Sequence, residues 1–188
     1  MAISRKEQIL AVSAKIFRQK GFQATTMRDI ARDTGIEAAS LYNHISSKQV
    51  ILRELLLEIA QLFTDGIQEI NDLDVSNLQK LEKLIDLHVD ITVSHTDAIS
   101  LIPSEWVHLV EPQLKEFLGL RDDYEKDFKH ILAAYLEEDE KSSLDTDVAL
   151  FSILSSLRWL YSWYSKYNTK SVSALKMGLA QSLLHGLK

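Results

Sequence analysis

Residues 25–52 read TTMRDIARDTGIEAASLYNHISSKQVIL, and this stretch decides the fold. Thr26 followed by Asp29 predicts the start of a short helix, and Gly35 lets the chain leave that helix with a positive φ. A second short helix follows at about residues 37–44, and it is too short and too polar to be a core element. A long amphipathic helix begins directly after it. This order of elements predicts a helix-turn-helix.

A helix-turn-helix places its second helix in the DNA major groove, while its first helix crosses the phosphate backbone. The second helix carries four small or polar side chains that suit base edges, because methyl groups contact thymine, serine is permissive and asparagine pairs with adenine. These expected base readers are Ala38, Ala39, Ser40 and Asn43. The expected phosphate contacts are Thr25, Thr26, Tyr42, His44 and Lys48. For Tyr42 we expect a ring packed between the helices and a hydroxyl on phosphate.

The same stretch resembles the signature of the TetR (tetracycline-repressor) family of transcriptional regulators. The matching residues are Thr26, Ile30, Ala31, Gly35, Ile36, Leu41, Tyr42, His44, Ser47, Lys48 and Leu52. Glu37 departs from the pattern, where the family usually has Ser or Thr, and so does Ile45, where it usually has Phe. The resemblance implies an all-α protein of about nine helices. It implies a three-helix DNA-binding head, residues 1–50, and a helical ligand-binding and dimerisation body, residues 51–188.

Composition and charge agree with this plan. The chain has 188 residues, 46% of them hydrophobic, which is enough to bury a sizeable core. Residues 1–55 hold nine Lys and Arg against five Asp and Glu, a net charge of +4, whereas residues 56–188 hold twelve against twenty-two, a net charge of −10. A basic head on an acidic body favours oriented binding to DNA, and chance scatter of solvated charges is the alternative. There is no cysteine, no signal peptide and no long apolar run, so we expect a cytoplasmic protein without a membrane partner.

Helical periodicity continues through the rest of the chain, without strand alternation. Ser4 with Glu7, and Ser76 with Gln79, are typical of capping boxes. We predict that Asp145 or Thr146 begins a helix that runs to about residue 167. Ser171 then begins a last helix to about residue 187.

The last two helices indicate a homodimer. Apolar residues occur on nearly every side of residues 148–164, so this helix must be covered all round. Small residues recur every fourth position in the final helix, as Ala174, Gly178, Ser182 and Gly186, and we call them the small-residue ridge. A four-helix interface built from two helices of each subunit is the economical interpretation. The alternative is that the ridge packs inside one subunit. A two-fold dimer would bind a roughly palindromic operator on double-stranded DNA.

The body also needs a signal to sense, and its aromatic residues could line a cavity for a ligand. The candidates are Trp106, Tyr124, Phe128, Trp159 and Trp163, with plain core packing as the alternative for each. Arg158 lies in an otherwise apolar helix and either holds an anionic group of the ligand or forms a solvated stripe with Ser155 and Ser162. The aromatic pair Trp159 and Trp163, the following Tyr164 and the closing Gly186-Leu187 resemble the C-terminal helices of acyl-CoA-responsive TetR-type repressors of fatty-acid and sterol breakdown. This resemblance implies an acyl-CoA or another amphiphile as effector.

Sequence motifs of enzymes are absent: there is no GxSxG, no HExxH and no glycine-rich phosphate loop. We therefore expect no catalysis, no cofactor and no metal site. The prediction is a TetR-type regulator, a repressor that a small amphiphilic ligand releases from its operator. The alternative is a helix-turn-helix protein controlled by protein–protein contact, with no small-molecule pocket.

Overall fold

The computed structural model describes residues 3–138, 144–167 and 169–184, and these residues form helices and connecting segments without any strand. Nine α-helices of at least seven residues are present in these ranges, together with the single-turn α6 and one 3-10 turn, Glu105–His108. The helices are α1 Arg5–Lys20, α2 Met27–Thr34, α3 Ala38–His44, α4 Lys48–Asn71, α5 Asn77–Ser94, α6 Thr96–Ile99, α7 Gln113–Glu137, α8 Thr146–Arg158, α9 Leu160–Tyr167 and α10 Val172–Leu184. The all-α prediction is confirmed.

Local sequence sets the helix starts. The predicted capping boxes are present at Ser4, Thr26 and Ser76, where the side chain of each accepts from the amide three residues later. Asp145 caps α8 by accepting from the amides of Asp147 and Val148. Gly35 ends α2 in the left-handed region, at φ 73°, as its place between two short helices required.

The predicted helix from residue 145 to residue 167 is divided in two at Trp159. Ser152 and Ser156 donate their hydroxyl hydrogens to the carbonyl oxygens of Val148 and Ser152, and such back-bonding bends helices. At the division itself, the hydrogen bond from the Trp163 amide to the Trp159 carbonyl is 3.4 Å long. In the last helix, the predicted end at residue 187 and the ridge residue Gly186 lie outside the described residues.

The chain forms two compact units. The first unit comprises Met1–Ala60 and Asp97–Leu118, and the second comprises Gln61–Thr96 and Gly119–Lys188. Helices α4 and α7 each contribute residues to both units. The predicted boundary at residue 50 stays a prediction.

Each unit has its own hydrophobic core. In the first unit α1, α2, α3 and α4 contribute fully buried side chains, among them Ile9, Phe17, Ile30, Leu41 and Leu52. In the second unit one large cluster joins α4, α5, α7, α8 and α10, with Phe128, Leu132 and Ile85 fully buried. A helix anchored on such a core can present its other face rigidly.

Candidate nucleic-acid interface and effector site

Helix α3 has one buried apolar side and one exposed polar side. Leu41 and Ile45 fix it to the core of the first unit, with 0% and 2% of their surface exposed. The predicted base readers Ala39 and Asn43 are exposed, and Ala38 and Ser40 are half-buried. In the part of the chain that the structure describes, the side chains of Ser40, Tyr42, Asn43 and His44 form no hydrogen bond within the protein. Their polar atoms are therefore available to a partner.

Tyr42 differs from the expectation of a packed ring. Its side chain is 54% exposed, because Leu41 and Ile45 fill the inward positions of this seven-residue helix. About half of this residue is thus accessible to solvent.

Thr26 is committed to the start of α2. Its hydroxyl donates to Asp29 Oδ2 at 2.8 Å and accepts from the Asp29 amide at 3.1 Å. The Thr26 side chain and amide hold the pKa of Asp29 at about 2, with help from Lys20 and Arg32. The first turn of α2 thus contains a negatively charged carboxylate, that of Asp29. Thr26 itself remains exposed.

Lys48 and Thr25 have internal roles that the sequence did not predict. The Lys48 ammonium group donates to the carbonyl oxygens of Phe22 at 2.6 Å, Gln23 at 3.2 Å and Thr25 at 2.8 Å. It also lies 4.3 Å from the centre of the Phe22 ring, and burial lowers its pKa. Thr25 is 1% exposed and donates its hydroxyl to the Gly21 carbonyl. Both side chains thus donate within the protein, and their predicted role as phosphate contacts stays a prediction.

The Glu105–His108 turn supports the same segment between α1 and α2. The Phe22 amide donates to Glu105 Oε2 at 3.4 Å, and the His108 ring stacks on the Phe22 ring with 5.5 Å between their centres. Gln49, at the start of α4, donates to the His108 carbonyl at 3.0 Å. Glu105 and His108 thus support the segments that flank the helix-turn-helix although they lie more than fifty positions away from it in sequence, and no local signal marks them.

Arg28 is a candidate DNA contact that the sequence analysis missed. It lies one position after the first residue of α2, its side chain is exposed, and it forms no ion pair within the described residues. The signal was present, since an arginine in the first turn of a helix that crosses the DNA backbone is suited to phosphate.

The second unit contains a buried polar pair among aromatic rings. The Tyr124 hydroxyl and His88 Nε2 are 2.6 Å apart, and the Phe63 ring centre lies 4.6 Å from that of His88. Burial lowers the pKa of His88 to about 3 and raises the pKa of Tyr124, so both groups are neutral. Phe128 packs edge-on against Tyr124 and is fully buried.

The other predicted ligand residues lie in different surroundings. Arg158 is at the surface, with 48% of its side chain exposed, and forms an ion pair with Glu125. Trp159 and Trp163 are 63% and 39% exposed. Trp106 belongs to the first unit, in the Glu105–His108 turn, and not to the second unit with the other five. Within the second unit, Tyr124 and Phe128 thus lie in the core and Arg158, Trp159 and Trp163 lie at the surface, and a ligand-binding role for the six residues stays a prediction.

Helices α8, α9 and α10 expose large apolar side chains. Val148, Phe151 and Met177 are 62%, 72% and 71% exposed. A separate groove of about 480 Å³ is lined by residues of these three helices and their connections, among them Trp159, Trp163, Ala174, Gly178 and Ser182. A Cβ atom added at Gly178 would meet nothing within 4 Å. At Gly178 the small-residue ridge is thus not packed inside the subunit.

Two family models match the chain. The model described as "Bacterial regulatory proteins, tetR family" matches residues 9–55, which contain the capped helices and the exposed α3. The model described as "Tetracyclin repressor-like, C-terminal domain" matches residues 74–187. The chain belongs to the TetR family.

Relatives of this TetR-family chain include named repressors. It is 26% identical over 186 residues to the HTH-type transcriptional repressor KstR2 of Rhodococcus jostii (strain RHA1). The alignment covers 97% of this chain and 91% of that protein. The structure of the ketosteroid transcriptional regulator KstR2 of Mycobacterium tuberculosis superposes with a TM-score of 0.91 at 24% identity, over 100% of this chain and 97% of the other. AibR in complex with isovaleryl coenzyme A and operator DNA superposes with a TM-score of 0.78 at 19% identity, over 95% and 97%. Both structures have the same fold as this chain.

The TetR resemblance inferred from residues 25–52 is confirmed. The family consists of DNA-binding transcriptional regulators and not of enzymes. In the ranges that the structure describes, no helix is both long and apolar enough to cross a lipid bilayer.

Proposed function

We propose that this TetR-family protein is a homodimeric repressor that binds a palindromic operator through α3 and is released by a small amphiphilic ligand. The observation that carries the proposal is the exposed face of α3, whose side chains at Ser40, Asn43 and His44 have no partner within the described residues. Leu41 and Ile45 hold that face in a fixed orientation. The KstR2 relatives are named repressors, which supports repression rather than activation.

We assign the residue roles from side-chain exposure and residue chemistry. Base edges are read by Ala38, Ala39, Ser40 and Asn43, with Asn43 the main discriminating group. Phosphates are held by Arg28, Tyr42 and His44, whereas Thr26 fixes the start of α2 through Asp29. Lys48 and Thr25 act indirectly, by fixing the segment that precedes α2.

The dimer forms through the exposed apolar face of α8, α9 and α10. Trp159 and Trp163, which are 63% and 39% exposed beside the ridge, are costly in water, and burial against a second copy removes that cost. The open space at Gly178 lets a helix of the partner approach closely. Two α3 helices joined in this way fit an operator of two-fold symmetry.

The effector enters the second unit among Phe63, His88, Tyr124 and Phe128. Ligand sites are mostly apolar with a few placed polar groups, and the neutral His88–Tyr124 pair supplies such groups in an apolar core. Arg158 is our candidate for the anionic end of the ligand, because about half of its side chain is exposed. Entry must open a packed core, so the observed affinity is lowered by the small fraction of open molecules.

Long-chain acyl-CoA is the first candidate, and AibR offers a precedent with isovaleryl coenzyme A. The test is a titration of acyl-CoA into the protein bound to a selected operator, with coenzyme A alone as control. We expect tryptophan emission to change and operator affinity to fall over the same concentration range. A tenfold fall requires the ligand to prefer the DNA-incompetent state by about 1.4 kcal/mol.

The outcomes separate the parts of the proposal. Tyr124→Phe should weaken the response to acyl-CoA several-fold while operator affinity without ligand stays the same. A change in emission without any loss of DNA binding would disprove the coupling. If neither changes, acyl-CoA is not the effector, and operator binding is tested separately.

A further inference from the structure

An ion pair between Arg158 and Glu125 joins α8 to α7 in the second unit. Glu125 is the one partner of the guanidinium group within the described residues, and the two side chains are 48% and 35% exposed. Glu125 directly follows Tyr124, whose hydroxyl lies 2.6 Å from His88 Nε2. Neither member of the ion pair lines the groove that we assign to the dimer interface. The ion pair is therefore open to a ligand that approaches the His88–Tyr124 pair.

The charge of Arg158 acts on both members of the His88–Tyr124 pair. Burial is the main cause that lowers the pKa of His88 to about 3, and the positive charge of Arg158 lowers this pKa further. Burial raises the pKa of Tyr124, on which Arg158 and Glu125 act in opposite directions. Because the interaction between charges falls with distance, the ion pair lies near the buried polar pair.

Glu125 competes for Arg158 with any anionic group of a ligand. A ligand with a single carboxylate would only exchange one carboxylate for another, so this exchange gains little. Glu125 is also held beside Arg158 by the chain, which gives it a high effective concentration. A head group with several phosphates differs, because it attracts the guanidinium group more strongly and can accept from the N–H donors that Glu125 leaves free.

We propose that Glu125 determines the charge that the effector must carry. It neutralises Arg158, so the site selects an amphiphile whose head group has several negative charges over one with a single carboxylate. An acyl-CoA meets this requirement through its phosphates, whereas a free fatty acid does not. The inference rests on the proposed effector site and assigns to Glu125 a role in ligand choice, in addition to its contact between two helices.

The test is calorimetric titration of the full chain with lauroyl-CoA, laurate and 1-dodecanol, which share one chain length and differ in charge. The natural protein should bind lauroyl-CoA more tightly than laurate. Glu125→Gln keeps the size of the side chain but frees Arg158, so laurate should bind about fivefold tighter, the upper value for a half-exposed ion pair. The affinity for uncharged 1-dodecanol should not change. Combining Glu125→Gln with Arg158→Gln should abolish the gain, because the carboxylate of laurate then has no cation to bind.

Asp147→Asn is the matched control. Asp147 pairs with Lys129, so this change also removes one negative charge and one ion pair between α7 and α8. Asp147 lies at the opposite end of α8, about 16 Å from Arg158 along the helix axis. The affinity for laurate should therefore be the same as in the natural protein.

The outcomes distinguish this inference from the proposed function. If lauroyl-CoA binds but Glu125→Gln leaves the affinity for laurate unchanged, Glu125 only connects two helices and the inference is overturned. An equal gain in Asp147→Asn would overturn it as well, because the effect would then reflect net charge alone. If lauroyl-CoA does not bind the natural protein, the proposed effector is wrong and this inference fails with it.

Discussion

At the scale of single residues, Lys48 is the side chain that joins the start of α4 to the segment between α1 and α2. Its ammonium group donates to three carbonyl oxygens and lies over the Phe22 ring. Hydrogen bonds to charged groups stabilise a fold by about 1.5–3 kcal/mol each, so the loss of all three would be felt throughout the segment. Lys48 thus holds the segment before α2 against the start of α4. We expect it to affect DNA binding by fixing the position of α2.

Lys48→Ala is therefore expected to lower both stability and DNA affinity. We expect a loss of about 2 kcal/mol of unfolding free energy, measured by denaturant melts, since neighbouring groups and water recover part of the bonding. Affinity for operator and for random duplex should fall together. Lys15→Ala removes an exposed lysine of α1 without an ion pair in the described ranges and serves as control. Unchanged stability with a salt dependence reduced by about one counterion would instead show that Lys48 contacts phosphate.

Asp29 makes the first unit sensitive to acid. Its pKa is about 2 in the folded protein and 3.8 in the unfolded reference, so the folded state binds the proton more weakly. The stability from this carboxylate is complete above pH 3.8 and is lost as the pH falls through about 2. Asp29→Asn should lower the melting temperature near neutral pH, and the gap to the natural protein should narrow between about pH 4 and 2. A gap that stays constant would exclude this linkage.

At the scale of helices, the sequence predicted features that depend on neighbouring residues, such as caps. It gave no indication of features that depend on distant residues. The caps at Ser4, Thr26, Ser76 and Asp145 depend on residues within one turn, so the sequence predicted them correctly. The division at Trp159 interrupts an apolar pattern that continues on both of its sides, so periodicity does not reveal it. The exposed ring of Tyr42 depends on which neighbours fill the core.

Gly178→Leu tests the role assigned to α10. The structure has room for the side chain within one subunit, so the fold should persist while a close helix approach from a second copy is blocked. Analytical ultracentrifugation should show a monomer with weak operator binding. Gly119→Leu is the matched control, because that helical glycine in α7 also has nothing within 4 Å of an added Cβ. An intact dimer of Gly178→Leu would remove the small-residue ridge from the interface.

At the scale of the whole molecule, two properties were predictable and two were not. The signature at residues 25–52 correctly indicated the family and the all-α class. The membership of residues 97–118 in the first unit was not foreseen, because it depends on contacts such as Arg18 with Asp97 that span 79 positions. The aromatic residues grouped by composition separated into core and surface for the same reason. Long-range packing, not residue type, decides which of them share a site.

The central claim is that α3 reads DNA sequence, and selection from a random duplex pool tests it most directly. The natural protein should enrich a roughly palindromic site. Asn43→Ala should enrich the same site with choice relaxed at one base pair in each half, at a cost of roughly 1–3 kcal/mol in affinity. Arg28→Ala should keep the same preferences while binding all duplexes more weakly. Enrichment of no sequence above background by the natural protein, or identical base preferences for the natural protein and Asn43→Ala, would contradict the claim.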